Sequence, residues 1–199
     1  MAVLICMLRG VNVVGRNKIK MDALRLLCAS LKLECPRTYV QSGNVIFRSK
    51  KKNFSALAKK IQAAIEGTFG FAPEVILRTP DEMRKAIAAS PFADRRDLHP
   101  SKLLVTFLAA EPCPEARAAL LSLKAHPEEL HLRGRELYIY FPNGVGQSKL
   151  PWSKVEKLTQ VAGTARNWNS VTKMLAIAEE LEAEGCRLSK GNRARPQRG

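Results

Sequence analysis

The chain has 199 residues, of which 46% are hydrophobic and 26% charged, a composition typical of globular proteins and unlike that of disordered ones. Its five cysteines and three histidines lack the spacing of a disulfide framework or a zinc site, so we predict no metal and no cofactor. The apolar start, residues 1–8, is too short for a signal peptide or a membrane span. We therefore expect a cytoplasmic protein with no membrane partner.

The net charge of +15 is unevenly distributed along the chain. Residues 1–90 hold 16 basic and 6 acidic side chains, whereas residues 91–185 hold 12 of each, and residues 186–199 add five basic side chains and no acid. Such a surplus attracts polyanions, so nucleic acid, another polyanion or a phosphorylated small molecule is the expected partner. A basic proteome background explains the same surplus equally well.

Hydrophobic periodicity predicts seven strands and helices in the first half, of which the first six lie in the first eighty residues. In chain order they are a strand over 2–8, a helix over 21–31, a hairpin of 37–41 and 45–48, a helix from 54 capped by Asn53, a strand over 74–77 and a helix opening at 80. The order β-α-β-β-α-β is that of a ferredoxin-like unit.

The second half repeats this order in part. We predict a strand over 103–108, a helix over 115–124, a hairpin of 128–132 and 136–141, and helices over 151–161 and 169–183, with no final strand. The fold class is therefore α+β, with two ferredoxin-like subdomains at 1–90 and 91–185 and an Arg-rich tail, 186–199, that is predicted to be disordered. An exposed strand is able to pair with the same strand of a second copy, so the sequence is compatible with a homo-oligomer but does not predict one.

The loop LRGVNVVGRNKIK, residues 8–20, has the glycine spacing of a phosphate-binding P-loop. Arg16 and Asn17 replace the lysine and the magnesium-binding hydroxyl of that motif, which argues against a nucleotide hydrolase. Cations and amides beside a helix start still favour anion binding, and the candidates are Arg9, Asn12, Arg16, Asn17 and Lys18. The alternative is a solvated loop that hinges on its glycines.

Three further polar segments carry candidate anion ligands, which are Gln41, Ser42 and Asn44, then Ser148 and Lys149, then Arg166, Asn167 and Asn169. Each also has a structural interpretation. Residues 41–44 suit a hairpin turn, and Asn167 or Asn169 suits a helix N-cap.

Four segments together resemble the bacterial domain-of-unknown-function family 1697; they are LRGVNVVGRNKI, TYVQSGNVIF, LYIYFPNGVGQSKL and TARNWNSVTKML. The resemblance runs from Ala2 to about Glu184. It implies a fold of two intertwined ferredoxin-like subdomains and implies no reaction. The chain departs from the family pattern at Val14-Gly15, where two glycines are expected, and in its Arg-rich extension.

We therefore predict that the protein binds an anionic ligand, either a phosphate-bearing molecule or a nucleic acid backbone, through polar loops and a basic surface. The alternative is an enzyme that acts on a small phosphorylated metabolite in a cleft between the subdomains. No carboxylate stands beside a histidine or cysteine in these loops, so we name no catalytic residue.

Overall fold

The protein has a mixed α+β fold with two four-stranded antiparallel sheets and six α-helices. These elements lie in the residues that the computed structural model describes, which are 1–13, 15–123, 125–150 and 152–191. None of the helices in these ranges is long and apolar enough to cross a membrane.

The first sheet is built from residues of the first half alone, in the strand order β2-β3-β1-β4. Its elements are β1 (Ala2–Leu8), α1 (Met21–Ser30), β2 (Glu34–Tyr39), β3 (Asn44–Ser49), α2 (Phe54–Phe69), β4 (Val75–Arg78) and α3 (Pro80–Ala88). Asn53 caps α2 as predicted, because its side-chain oxygen accepts the Ala56 N–H at 2.9 Å. The central strands β1 and β3 are buried on both faces, which explains the continuous apolar run of β1, whereas β3 also buries the polar residues Asn44, Arg48 and Ser49.

The second sheet has the corresponding order β6-β7-β5-β8. Its elements are β5 (Leu103–Leu108), α4 (Pro114–Leu121), β6 (Glu129–Arg133), β7 (Glu136–Tyr140), α5 (Trp152–Thr159) and β8 (Gly163–Asn167). The prediction that this half lacks its last strand is therefore wrong. Residues 163–167, GTARN, are too short and too polar to give an alternating apolar signal, yet Thr164 and Arg166 are buried.

Helix α6 (Trp168–Gly191) closes the fold. It extends six residues into the predicted disordered tail, so that prediction is corrected for residues 186–191, while residues 192–199 lie outside the described ranges. The inner face of α6 carries Val171, Met174, Ala178 and Leu181.

Three hydrophobic clusters hold these layers together. One lies between the first sheet and helices α1 and α2, and a second lies between the second sheet and helices α4 and α5. The third lies between the halves, where both sheets pack with α3 and α6. Each sheet takes its four strands from one half, so the halves join by packing and not by exchange of strands.

Candidate functional site

Arg166, one of the predicted anion ligands, lies on β8 and is buried at the junction of the two halves, with 7% of its surface exposed. Its five guanidinium N–H groups donate to protein acceptors, which are Asn44 Oδ1 at 2.5 Å, Thr164 Oγ1 at 2.6 Å, Ala165 O at 2.8 Å, Leu8 O at 2.8 Å and Ser42 O at 3.0 Å. A guanidinium has five donors, so none is left for an external anion in this arrangement.

Only neutral oxygen atoms stabilise the positive charge of the Arg166 guanidinium, since no carboxylate of the described residues forms an ion pair with it. Burial lowers the pKa of Arg166 to about 10, an effect that the neighbouring Cys6 opposes. Burial also raises the pKa of the Cys6 thiol. At neutral pH Arg166 is therefore charged and Cys6 is a neutral thiol.

Arg78 occupies the position in the first half that Arg166 occupies in the second. Arg78 lies opposite Ile5 across β4 and β1, and Arg166 lies opposite Val105 across β8 and β5. Arg78 Nη2 donates to Leu108 O at the end of β5 at 2.7 Å, just as Arg166 Nη2 donates to Leu8 O at the end of β1. The two arginines thus reach in opposite directions across the junction.

The Nε–H groups of Arg78 and Arg166 donate to partners that differ in charge. Arg78 Nε donates to Glu136 Oε1 at 3.1 Å, whereas Arg166 Nε donates to the neutral amide of Asn44. Burial lowers the pKa of Arg78 and raises that of Glu136, and in each case the charged partner opposes the shift. Asn44, which is fully buried, also donates to Tyr39 O and to Ser42 Oγ.

The loop of residues 9–20 is held closed by the side chains of its two asparagines. Asn12 accepts the Ile19 N–H at 2.9 Å and donates to Ile19 O and to Gln41 O, so it also ties the loop to the turn at 41–44. Asn17 donates to Gly10 O at 3.0 Å. Both asparagines have positive φ, a conformation that asparagine tolerates better than most residues. The amides therefore stabilise the loop, and the cations Arg16 and Lys18 are exposed on it.

Arg9 stands at the rim of an open cleft of about 500 Å³ between α5 and the second sheet. Its guanidinium pairs with Glu156 of α5 at 2.9 Å. The walls are largely apolar and include Trp152 and Leu137, and on the sheet side the buried Thr106 Oγ1 has no hydrogen-bond partner among the described residues. Arg9 is the only residue of the first half in the described lining of this cleft.

The remaining predicted ligands lie apart from this junction. Ser148 Oγ accepts the Leu150 N–H at 3.0 Å, and Lys149 is exposed. Asn167 Oδ1 accepts the Asn169 N–H at 3.0 Å, which is the predicted cap of α6, and Asn167 Nδ2 donates to Ser101 O. The structure thus joins Ser42, Asn44 and Arg166 directly, and Asn12 with Gln41.

Two cationic features were not predicted from the sequence, a run of three exposed lysines and a buried arginine at the end of β3. Each ion pair between described residues uses an arginine, and none uses a lysine. Lys50, Lys51 and Lys52, here called the lysine patch, follow β3 and are all exposed. Arg48, in contrast, is buried at the end of β3. A run of three lysines is visible in the sequence, but the burial of an arginine at a strand end is not.

A metal site finds no support in the described residues, where no group of three or more His, Cys, Asp or Glu side chains could hold an ion.

The sequence model of a family described as "Protein of unknown function (DUF1697)" matches residues 1–138. Of the four segments that carry the resemblance, the last and nearly all of the third lie beyond these residues. A solved structure similar in fold is that of the conserved bacterial protein SP0830 from Streptococcus pneumoniae, with 22% identity and a TM-score of 0.67 over 89% of this chain and 98% of that one. No curated protein matches the chain. Because the family match spans more than half of its residues, the chain belongs to the DUF1697 family of proteins of unknown function.

Proposed function

We propose that the protein binds phosphate-bearing polyanions, a nucleic acid backbone in the first place, through the basic surface of its first half. The observation that carries the proposal is the lysine patch, three consecutive exposed cations that form no ion pair with the described residues. The first turn of the following helix, α2, holds no acidic residue that would neutralise them. Lysine side chains of this kind bind phosphates by charge and without sequence readout.

The charge balance of the second half supports the lysine patch as the surface that contacts the polyanion. Arg95 there is engaged by Asp97 and Glu129, and basic and acidic residues balance over 91–185. The polar loops contribute a second group of exposed cations, Arg16 and Lys18, in the first half. Binding through such surfaces is expected to weaken steeply as salt is added, because each phosphate contact releases counterions.

The test is the anisotropy of a labelled single-stranded oligonucleotide measured over a salt series. The patch variant is K50E/K51E/K52E, and its matched control is K154E/K157E/K173E, which makes the same change in net charge on exposed lysines of the second half. Loss of three phosphate contacts is expected to reduce the slope of log K against log salt by about 2, at roughly 0.7 for each single-strand contact. The control is expected to keep most of the slope.

Equal effects of the two triple variants would show that net charge, and not the patch, governs binding. An oligonucleotide that does not bind the wild-type chain even at low salt would end the proposal. Truncation after Gly191, the end of α6, reports separately on the basic residues that follow.

The cleft beside α5 supports a second candidate, the binding of a small phosphorylated metabolite. Arg9 at its rim offers a cation to a ligand in the cleft. The only carboxylate in the described lining is Glu156, which Arg9 engages, so we derive no reaction step. Glycerol phosphate should raise the melting temperature of the wild-type protein but not that of Arg9→Gln.

We also infer that the two halves are ferredoxin-like units related by duplication. The common strand order supports this inference, as do the equivalent positions of Arg78 and Arg166 and of the carbonyls that they reach. The turns agree as well, since Leu8 N donates to Gly43 O and Leu108 N donates to Arg135 O.

A further inference from the structure

Three arginines are buried among the described residues, and they differ in how fully their donors are used. Arg78 is paired with Glu136 and donates to two backbone carbonyls. Arg166 has all five donors occupied. Arg48 is also buried, with 8% of its surface exposed, but its one hydrogen bond runs from Nη2 to Cys35 Sγ at 3.3 Å. Its Nε–H has no partner in the described part of the chain.

Arg48 faces an open cavity. Across the sheet it lies beside Val3 of β1 and Glu34 of β2, on the face that packs against α6. The cavity has a volume of about 810 Å³, and its remaining walls come from the start of α3 and from the end of α6. A buried cation that is neither paired nor fully hydrogen-bonded is costly, so its persistence beside a cavity points to an external partner.

Gly185 of α6 makes room for the guanidinium. A Cβ at this position would lie 3.0 Å from Arg48 Nη1, closer than the side chain tolerates without moving. The absence of a side chain on this turn of the helix therefore allows Arg48 to reach along the cavity wall.

The acidic groups at the rim are for the most part already engaged. Asp81 and Glu182 both line the cavity, but each is held by Arg84, at 2.5 and 2.8 Å. Glu34 lines the cavity and forms no ion pair with the described residues, so it is the acid that an incoming anion must face. Beyond Arg48, the cavity adjoins a second one lined by the lysine patch, since Met1 and Ala2 line both.

We propose that this cavity binds a phosphate group, with the planar guanidinium of Arg48 as its principal donor. An anion here takes the Nη1–H groups, which form no hydrogen bond with the described residues, and the charge that no carboxylate matches, and the planar guanidinium suits a tetrahedral oxyanion. The proposal deepens the proposed function and rests on it only for the source of the phosphate, either a nucleic acid backbone that continues over the lysine patch or a free polyphosphate.

The test is calorimetric titration of the full chain with inorganic pyrophosphate at fixed ionic strength. We expect one site per chain, weakened about tenfold or more in Arg48→Lys, which keeps the charge but loses the planar guanidinium. Arg95→Lys, at an exposed and ion-paired arginine of the second half, is the matched control and should leave the affinity unchanged.

Two further variants leave Arg48 unchanged, so they test the proposal even if Arg48→Lys fails to fold. Gly185→Ala favours the helix but crowds the guanidinium, so it should weaken pyrophosphate binding in a chain that is at least as helical. Glu34→Gln removes the acid at the rim and should strengthen binding. Wild-type affinity in both Arg48→Lys and Gly185→Ala, or a titration without saturation in the wild-type chain, overturns the proposal.

Competition identifies the source of the phosphate and keeps the two proposals distinct. An oligonucleotide that displaces pyrophosphate places its backbone in the cavity, whereas one that binds without displacing it overturns the link to the lysine patch. Pyrophosphate binding that depends on Arg48 in a chain that does not bind oligonucleotide supports the cavity and refutes the proposed function alone.

Discussion

Replacing Arg166 with methionine removes the hydrogen bonds that join β8 to the end of β1 and to the turn at 41–44. Three of the five bonds of Arg166 cross to the first half in this way, and bonds from a charged group contribute about 1.5–3 kcal/mol each before the cost of burying the guanidinium is counted. That burial cost is several kcal/mol, so it offsets part of the gain. Arg166→Met leaves no buried charge behind, but the oxygens that accepted these bonds lose their donor at about 1–3 kcal/mol for each buried one, and we expect a net loss of about 3 kcal/mol.

The measurement is urea unfolding followed by circular dichroism, with the free energy of unfolding taken at constant m-value. Arg95→Met, at an exposed arginine of the second half, is the control and should change the free energy of unfolding by no more than about 0.5 kcal/mol. A loss below about 1 kcal/mol in Arg166→Met would refute the interpretation of Arg166 as the connection between the halves and would return it to the set of ligand candidates.

Three other substitutions test the same structure. Arg78→Met removes the main cation that opposes the raised pKa of the buried Glu136. Stability is then fully present below the unfolded pKa of about 4.3 and is lost as pH rises through the folded pKa, so the deficit measured by urea unfolding should be larger at neutral pH than at a pH near 4. Gly163→Ala places a Cβ 2.7 Å from Leu108 Cδ2 and 3.1 Å from Phe107 O, so thermal unfolding should report a loss of about 1–3 kcal/mol, whereas Gly146→Ala, with no neighbour within 4 Å, should be neutral. Thr106→Val removes a buried hydroxyl that has no partner among the described residues, and it should raise stability by roughly 1 kcal/mol; a decrease in stability would contradict the absence of that hydrogen bond.

The elements with a strong periodic signal could be predicted from the sequence. Strand β1 is a continuous apolar run, β5 is apolar except at Thr106, and α2 combines an apolar face with an asparagine cap, so local patterning and tertiary packing agree there. Strand β8 could not be found in this way, because its buried positions hold Thr164 and Arg166. Hydropathy assigns an arginine to the surface, and only the acceptors supplied by the other half of the chain make its burial possible.

The candidate site was predictable in residue type but not in role. Ser42, Asn44 and Arg166 come together although they belong to separate segments of the sequence, and Asn12 contacts the same turn. Their donors, however, are directed at carbonyl and amide oxygens of the chain itself. Arg48 carried no signal because strand position 48 looks like any polar residue at the end of a hairpin strand.

The reason for this pattern lies in what a guanidinium recognises. At the end of a central strand the chain turns away, and a carbonyl oxygen such as that of Leu8 needs a donor from elsewhere. A donor group suited to that carbonyl is equally suited to a phosphate oxygen, so segments rich in arginine, asparagine, serine and glycine are compatible with both. Counting donors against acceptors separates the two cases. Arg166 has an acceptor for each N–H, whereas Arg48, also buried, has an unused Nε–H and no carboxylate partner in the described residues. By that criterion the proposed anion site lies beside Arg48. This is the end of β3 opposite Asn44, whereas the polar loops that first suggested an anion site lie near Asn44.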